Sequence, residues 1–432
     1  MENESKLTLK NENLKKNILI SKSLSNFKKD KNKSKKKRKI ISKGEKNNKK
    51  IDNIQKSDDN KNIPKIIKIR NPGVDLVRLL CMYNTVIHHL LFHGNGLKKY
   101  SQYKKYLDIL LIFINWHNNG FALISGIIGY KSNKYSNLLY LWLYVLFYAV
   151  GIHIYFEKFR KNSYIDVTKS TEYFPIIFNR YWYFTQYFGM YLFLPVVNKG
   201  ISILTKSELK LVVISTIGIF SFWRYLKNPK NDVFHLCGGG SILWFLTLFI
   251  TGSYIGKYRI EYTGIRKYIY CIFCLFIFSF TSFLYYKTSN NELYLGKGYY
   301  QRKIVILLNQ IMDGSYDSLK KIIQTISITL FFLQIKYNQY LSKIITFFGP
   351  IAFGIYLIHI NSIVSTNILS KIFNNDSSNL TLYSTIALIL FKALKITFIC
   401  LFIDYLRHIL FTLLRIRKIC IILEKIAFKL FG

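Results

Sequence analysis

Apolar runs of about 17 to 25 residues, the length a helix needs to cross a bilayer, recur along the chain after residue 73. Short polar stretches separate these runs. The pattern therefore predicts an all-α fold, a polytopic membrane helix bundle with about ten transmembrane helices. We place these helices at residues 74–93, 106–129, 137–156, 181–198, 209–226, 241–256, 266–286, 319–337, 344–366 and 381–403.

The first of these runs carries charged and titratable side chains, namely Asp75, Arg78, Asn84, His88 and His89. Such groups are costly inside a bilayer, so they usually face a protein interior or a watery cavity and serve a function. Asp75 lies three residues before Arg78, and Arg78 lies eleven residues before His89, close to three whole helical turns. These three side chains therefore share one stripe, whereas His88 points about 100° away.

Polar residues also interrupt three later runs. His117 lies among several amides in the second run, and Ser125, in the same run, suits either close helix packing or a site. Trp182 lies at the start of the fourth run, where an aromatic ring serves either stacking against a ligand or the membrane interface. Tyr356 and His359 are three residues apart on neighbouring faces of the ninth run, as a structural pair or as site residues.

The stretch Asp75-Leu76-Val77-Arg78, followed by ten residues and His89, resembles the D-x-x-R and R-x10-H signature of the acyltransferase-3 family. Members of this family are multi-pass membrane O-acyltransferases that move acyl groups, often acetyl, onto sugar hydroxyls. Four later segments resemble other parts of the family pattern: Ile124-Ser125-Gly126, Trp182 to Pro195, Trp244 to Gly256, and Gly354 to His359. The resemblance covers about residues 70 to 405.

The loop after the second run departs from the family pattern. Members often carry an R-x-x-R motif there, whereas this chain has Lys131-Ser132-Asn133-Lys134. Lysine keeps the charge but lacks the planar fork with which arginine holds a phosphate. The role that this loop has in the family therefore cannot be assigned directly to the loop of this chain.

The resemblance implies transfer of an acyl group, most simply acetyl, from acyl-CoA (acetyl-CoA) to a hydroxyl of a glycan or glycolipid acceptor. His89 takes the role of general base, because histidine accepts protons at neutral pH. Arg78 would hold an anionic part of the donor, and Asp75 would orient Arg78. Five further residues are candidates for substrate binding: Ser125, His117, Trp182, Tyr356 and His359.

Two other functions remain open on the residues alone. A transporter or lipid-handling membrane protein without catalysis would use the stripe on the first helix as a proton relay or a substrate site. A scaffold that keeps the fold without activity is compatible with the absent loop arginines.

The first 70 residues have a different composition from the rest, with 23 Lys and Arg against 8 Asp and Glu. Such a segment buries too little apolar surface to fold, so we expect a disordered basic tail that is dispensable for chemistry. We see no cleavable signal peptide, and the basic tail favours a cytoplasmic N-terminus. With an even number of helices the C-terminus is cytoplasmic as well. We expect no nucleic-acid partner.

We divide the remainder into a transmembrane acyltransferase-like domain, residues 71–405, and a basic amphipathic C-terminal segment, residues 406–432, which suits the inner membrane surface. The basic residues of this segment include Arg407, Arg415, Arg417, Lys418, Lys425 and Lys429. The loop at residues 372–380 carries two glycosylation sequons, at Asn375 and Asn379, and lies on the outer side in this orientation.

The sequence predicts no metal site and no bound cofactor. Cys271 and Cys274 form a C-x-x-C motif, but it falls inside a predicted membrane helix and has no second pair or nearby histidine. Residues 287–318 form the longest later interruption, and no chemistry is assigned to them.

Overall fold

The computed structural model describes residues 71–160, 174–223, 232–289 and 314–431. The chain divides into two units, residues 1–69 and 70–432, and the first lies outside the described residues. The expectations for the N-terminal tail and for most of residues 287–318 therefore fall outside them as well.

Every regular element in these four ranges is helical. The helices are α1 Pro72–Phe92, α2 Lys104–Ile114, α3 His117–Gly129, α4 Tyr135–Arg160, α5 Trp182–Ile203, α6 Lys206–Ile217, α7 Ile242–Tyr258, α8 Gly264–Ser289, α9 Leu319–Gln334, α10 Gln339–Phe348, α11 Ala352–His359, α12 Ser362–Asn367, α13 Leu382–Leu413 and α14 Ile416–Phe431. The all-α prediction is confirmed for the described part of the chain.

The expected count of about ten membrane helices is not confirmed. Five segments within the described ranges are long and apolar enough to cross a membrane: Ser101–Gly129, Tyr135–Lys158, Gly264–Lys287, Gln339–His359 and Leu382–Leu413. The other described helices are too short or too polar to be counted; α7 has only 17 residues and α9 only 16. The segments still indicate a membrane protein.

Two of the predicted helices are broken. The second divides between α2 and α3 at Asn115 and Trp116, and the ninth divides between α10 and α11 at a 3-10 turn, Gly349–Ile351. Pro350 explains the second break, because proline has no backbone N–H to continue an α-helical ladder. The break lets α11 end at His359, which then lies beside α1.

The first helix is the central element of the bundle. Pro72 opens α1, and the side chain of Asn71 caps it by accepting a hydrogen bond from the backbone N–H of Gly73. α1 packs against α3, α9, α10, α11 and α13. A side chain on α1 therefore meets partners from most of the sequence.

Small residues hold α3 and α7 close together. A Cβ atom added at Gly126 would overlap the backbone of Phe249, and one added at Gly252 would overlap that of Leu123. Such close backbone approach is typical of helix packing in membranes. Gly126 is therefore a packing residue, although its neighbour Ser125 faces elsewhere.

The C-terminal segment begins later than the sequence suggested. α13 continues to Leu413, so the expected boundary at residue 406 falls within this helix. Arg407, which the sequence placed on a membrane-surface segment, is 3% exposed inside the bundle. The placement of Arg407 was wrong because its charge has a buried partner on the same helix, Asp404. α14 packs against α4, where the rings of Phe428 and Tyr135 lie 6.3 Å apart.

Two glycines at the second break, Gly349 in the turn itself and Gly354 in the first turn of α11, lie directly against buried carboxylates. A Cβ on Gly349 would overlap the side chain of Asp75 from α1, and a Cβ on Gly354 would overlap that of Asp404 from α13. Both aspartates are almost fully buried. The segment between α10 and α11 is thus held by two carboxylates from two different helices.

We expect Gly354→Ala to lower the thermal unfolding temperature of the detergent-solubilised protein. The added methyl group forces α11 away from Asp404, and such overpacking costs about 1–3 kcal/mol. Gly200→Ala in α5 is the control, because a Cβ there meets no atom within 4 Å. It should be neutral or slightly stabilising, since alanine is the better helix former. Equal melting temperatures for the two variants would contradict the close contact.

Candidate active site

A pair of buried histidines lies where α1 meets α11. Nδ1 of His89 and Nε2 of His359 are 2.8 Å apart, and Nδ1 of His359 lies 2.5 Å from the backbone oxygen of Ile355. His89 is 9% exposed and His359 is 2% exposed. The structure therefore brings together two residues that are 270 positions apart in the sequence.

The contacts of this pair define where its protons lie. A carbonyl oxygen only accepts hydrogen bonds, so Nδ1 of His359 carries the proton that it donates to Ile355. Nε2 of neutral His359 is then an acceptor, and Nδ1 of His89 is the donor to it. Nε2 of His89 keeps its lone pair, and it makes no hydrogen bond with the described residues. The pair thus presents one imidazole nitrogen ready to accept a proton.

Two more histidine rings lie beside His89, and a third lies beside one of these two. The ring of His93 lies 5.1 Å from that of His89, and the ring of His88 lies 5.6 Å from it. His88 turns towards α3, where its ring is 5.5 Å from that of His117. His117 is buried, and its Nδ1 lies 2.9 Å from the backbone oxygen of Ile114. His88 and His89 therefore face different neighbours, as their helical spacing predicts.

Acidic residues and cysteines do not complete a metal site with these rings. Within the described ranges, no group of three or more His, Cys, Asp and Glu side chains is arranged to hold a metal ion.

Arg78 and Asp75 form an ion pair further along α1. Nη1 of Arg78 lies 2.5 Å from Oδ1 of Asp75. The spacing of eleven residues along the helix puts Arg78 about 16 Å from His89. Arg78 lines a cavity of about 310 Å³ together with Ser125, Asn137, Tyr187 and Tyr191. Arg78 is only 13% exposed, so its charge is directed into the protein.

Ser125 lies in the wall of this Arg78 cavity. Its hydroxyl donates a hydrogen bond to the backbone oxygen of Phe121 and accepts one from the hydroxyl of Tyr187. Ser125 is therefore a polar group of the same cavity as Arg78, not a residue of the α3–α7 packing. Tyr187, which the sequence analysis did not single out, is the partner that orients it.

The lysine-containing loop between α3 and α4 reaches the same region. Ser132 lines the Arg78 cavity, and the side chain of Asn198 holds the loop by donating to the backbone oxygens of Gly129 and Ser132. A neighbouring cavity of about 470 Å³ is lined by Lys131, Lys199 and Lys257. The positive charge of this region thus comes from three helices and a loop, not from the loop alone.

Two predicted binding residues lie away from the histidine pair. The ring of Trp182 is stacked on Tyr316, with centroids 6.2 Å apart and an interplanar angle of 17°. Tyr356 is buried among aromatic rings, 5.8 Å from that of Phe353 and 6.1 Å from that of Tyr183. Neither side chain makes a hydrogen bond or a ring contact with His89 among the described residues.

A second buried ion pair, unnoticed in the sequence, lies on α13. Arg407 donates two hydrogen bonds to Asp404, from Nε at 3.0 Å and from Nη2 at 2.7 Å. Tyr144 and Tyr148 of α4 also donate to the Asp404 carboxylate, at 2.6 and 2.8 Å. The sequence feature that could have revealed this pair is a second D-x-x-R motif, since Asp404 and Arg407 are three residues apart just as Asp75 and Arg78 are.

Residues 71–404 match the family model described as an acyltransferase domain, which is more than three quarters of the 432-residue chain. The chain therefore belongs to the acyltransferase-3 family, and the resemblance that its sequence motifs indicated is confirmed. No curated protein and no solved structure matches it. The class of protein is thus a membrane acyltransferase, with α1 carrying the residues that first indicated it.

Proposed function

We propose that this protein transfers an acyl group, most simply acetyl, from acyl-CoA to a hydroxyl of a glycan or glycolipid. The observation that carries the proposal is the hydrogen-bonded pair of His89 and His359. In acyl transfer the attacking hydroxyl must lose its proton, and a positioned histidine is suited to accept it near neutral pH. Nε2 of His89 takes this proton while the hydroxyl oxygen bonds to the acyl carbon. The C–S bond of the thioester breaks, and the proton passes from His89 to the departing CoA thiolate.

His359 has a positioning role in this mechanism. Its bond to the Ile355 carbonyl fixes its own tautomer, and its Nε2 then orients the imidazole of His89. When His89 becomes positively charged, the same acceptor stabilises the proton on Nδ1. This arrangement resembles the base and orienting group of acyl-transfer enzymes in general.

The donor is assigned to the Arg78 cavity. An arginine directed into a cavity suits an anionic group such as the phosphates of CoA, and Asp75 holds its guanidinium in place. The lysines of the neighbouring cavity add positive charge where the nucleotide end of the donor would lie. The thioester would then extend along α1 towards His89, over about 16 Å.

The acceptor side is assigned to the outer end of α1. His117 and Trp182 lie on that side of the bundle, with His117 against His88 and Trp182 stacked on Tyr316. Aromatic faces of this kind suit the apolar faces of sugar rings. Tyr356 has a supporting role through the aromatic cluster that it shares with Phe353.

For the orientation we propose cytoplasmic N- and C-termini, so that donor enters from the cytoplasm. The basic tail of residues 1–70 favours this by the positive-inside rule. The loop with Asn375 and Asn379 then lies outside, and both asparagines are exposed.

His89→Ala should lower the rate of CoA release from acetyl-CoA by about 10² to 10⁴, the usual contribution of a general base. His88→Ala is the matched control and should be milder, because His88 contacts Phe92 and His117 and makes no bond to His359. His359→Ala should fall between the two, since the base survives without its orienting partner. The rates are compared at matched expression. Equal losses for His88→Ala and His89→Ala would refute the assignment of the base.

Arg78→Lys should raise the KM for acetyl-CoA roughly tenfold, because hydrogen bonds to charged groups contribute about 1.5–3 kcal/mol and the planar fork is lost. The kcat should change much less. Arg266→Lys, on the exposed surface of α8, serves as the control and should behave like wild type. An unchanged KM for Arg78→Lys would remove Arg78 from the donor site.

Single cysteines test the orientation. Ser377→Cys in the 372–380 loop should react with an impermeant thiol reagent added outside sealed cells or to the luminal side, and Asn133→Cys should not. Both positions are exposed, and the exposed Cys237 is first replaced to remove background labelling. The reverse labelling pattern would contradict cytoplasmic entry of the donor.

A further inference from the structure

An apolar groove lies between α4, α11, α12 and α13. Its volume is about 560 Å³, within the usual range of about 300–1,000 Å³ for small-molecule sites. The groove lining contains no Asp, Glu, Lys or Arg, and its polar side chains are Tyr148, Tyr155, His359 and Cys400. Gly151 leaves its floor open, because a Cβ added there meets no atom within 4 Å.

The groove opens on the outer surface of α4 and α13. α4 and α13 belong to two of the five segments that are apolar and long enough to cross a membrane. Tyr155 on α4 and Ile399 on α13, which line the groove, are 51% and 49% exposed. An uncharged groove that opens on the surface of two such helices faces the hydrocarbon of the bilayer, so its natural occupant is a hydrocarbon chain.

The inner wall of the groove is part of the candidate active site. His359 lines the groove and is also the hydrogen-bond partner of His89. A hydroxyl at the His359 end of the groove would lie one imidazole ring away from the proposed base. Neither the Arg78 cavity nor the neighbouring lysine-lined cavity is lined by His89 or His359.

We infer that this groove holds the hydrocarbon chain of the acceptor, so that the acceptor is a membrane lipid with a hydroxyl in its head group and not a water-soluble sugar. The inference rests on the proposed function. It narrows the choice between a glycan and a glycolipid, and it gives the acceptor a lateral entry from the bilayer.

We assign the hydrocarbon chain in the groove to the acceptor because the donor cavity lies at the other end of α4. Asn137 and Leu141 line the Arg78 cavity, whereas the groove is lined by residues from Phe147 to Phe156. Asn137 and Tyr155 are eighteen residues apart, which is about 27 Å along a helix and close to the thickness of the hydrocarbon core. In the proposed orientation the groove therefore opens in the outer leaflet, away from cytoplasmic acyl-CoA.

The test is photolabelling of the full-length protein in phosphatidylcholine vesicles with a hexadecanol that carries a diazirine in its chain. Mass spectrometry should find label on the α13 residues of the groove, between Ile396 and Ile403. Gly151→Phe fills the groove and should reduce that label roughly tenfold or more, because the burial of several methylene groups is lost. Gly200→Phe, at an equally open glycine on α5, is the control and should label like wild type.

A second variant keeps the test decisive in case Gly151→Phe does not fold. Ile399→Trp blocks the same groove from α13, and each variant is used only if it elutes as wild type in size-exclusion chromatography. Absence of label from the groove in wild type, or equal label in Gly151→Phe and Gly200→Phe, would overturn the inference. Displacement of the label by palmitoyl-CoA more readily than by unlabelled hexadecanol would overturn it too, because the groove would then hold the acyl chain of the donor.

Labelling requires no turnover, so it is independent of the proposed function. CoA release from acetyl-CoA, measured with extracted membrane lipids as acceptor, supplies the second readout. Gly151→Phe should lower the lipid-stimulated part of this release, and Gly200→Phe should not. Groove labelling without any CoA release would leave the lipid site standing and refute the acyltransferase proposal alone.

Discussion

The hydrogen bond between His89 and His359 is the contact on which the site depends. A polar group that is buried without a hydrogen-bond partner destabilises the folded state. The helix opposite a buried imidazole must therefore provide such a partner, which restricts its position. Here it fixes α1 against α11, and the carbonyl of Ile355 in turn fixes the tautomer of His359. The break at Gly349–Ile351 is necessary for this, because it allows α11 to end at His359 beside α1.

Two ion pairs hold the broken helix in place. Asp75 with Arg78 and Asp404 with Arg407 have the same spacing. Asp75 lies against Gly349 in the break, and Asp404 lies against Gly354 just after it. Glycine is required at both positions because a Cβ atom would overlap the carboxylate. A buried ion pair adds little net stability, but removing one partner leaves an uncompensated charge that costs about 3–5 kcal/mol. The pairs therefore act by specifying one position of α11, and with it the position of His359.

Local patterns in the sequence predicted the local features of the structure. The first helix was expected at residues 74–93 and is found at Pro72–Phe92, because an apolar run with one polar stripe is readable without tertiary contacts. The separate directions of His88 and His89 followed from helical geometry in the same way. Contacts between distant parts of the sequence could not be predicted from local patterns. The hydrogen bond between His89 and His359 is an example, because it joins residues 270 positions apart. Arg407 was misplaced for a related reason: its basic surroundings suggested a surface, whereas its partners Asp404 and Tyr140 bury it.

The site geometry also bears on the chemical route. A serine nucleophile needs an adjacent base to take its proton. The hydroxyl of Ser125 donates to the backbone of Phe121 and accepts from Tyr187, so no histidine is bonded to it. Ser125 therefore lacks the partner that a seryl intermediate requires, although it lies in the Arg78 cavity. Under the proposed function, we therefore favour direct passage of the acyl group from the thioester to the acceptor hydroxyl over a seryl intermediate. Direct transfer requires both substrates at His89 together, which two entrances at opposite ends of α4 allow without either substrate displacing the other.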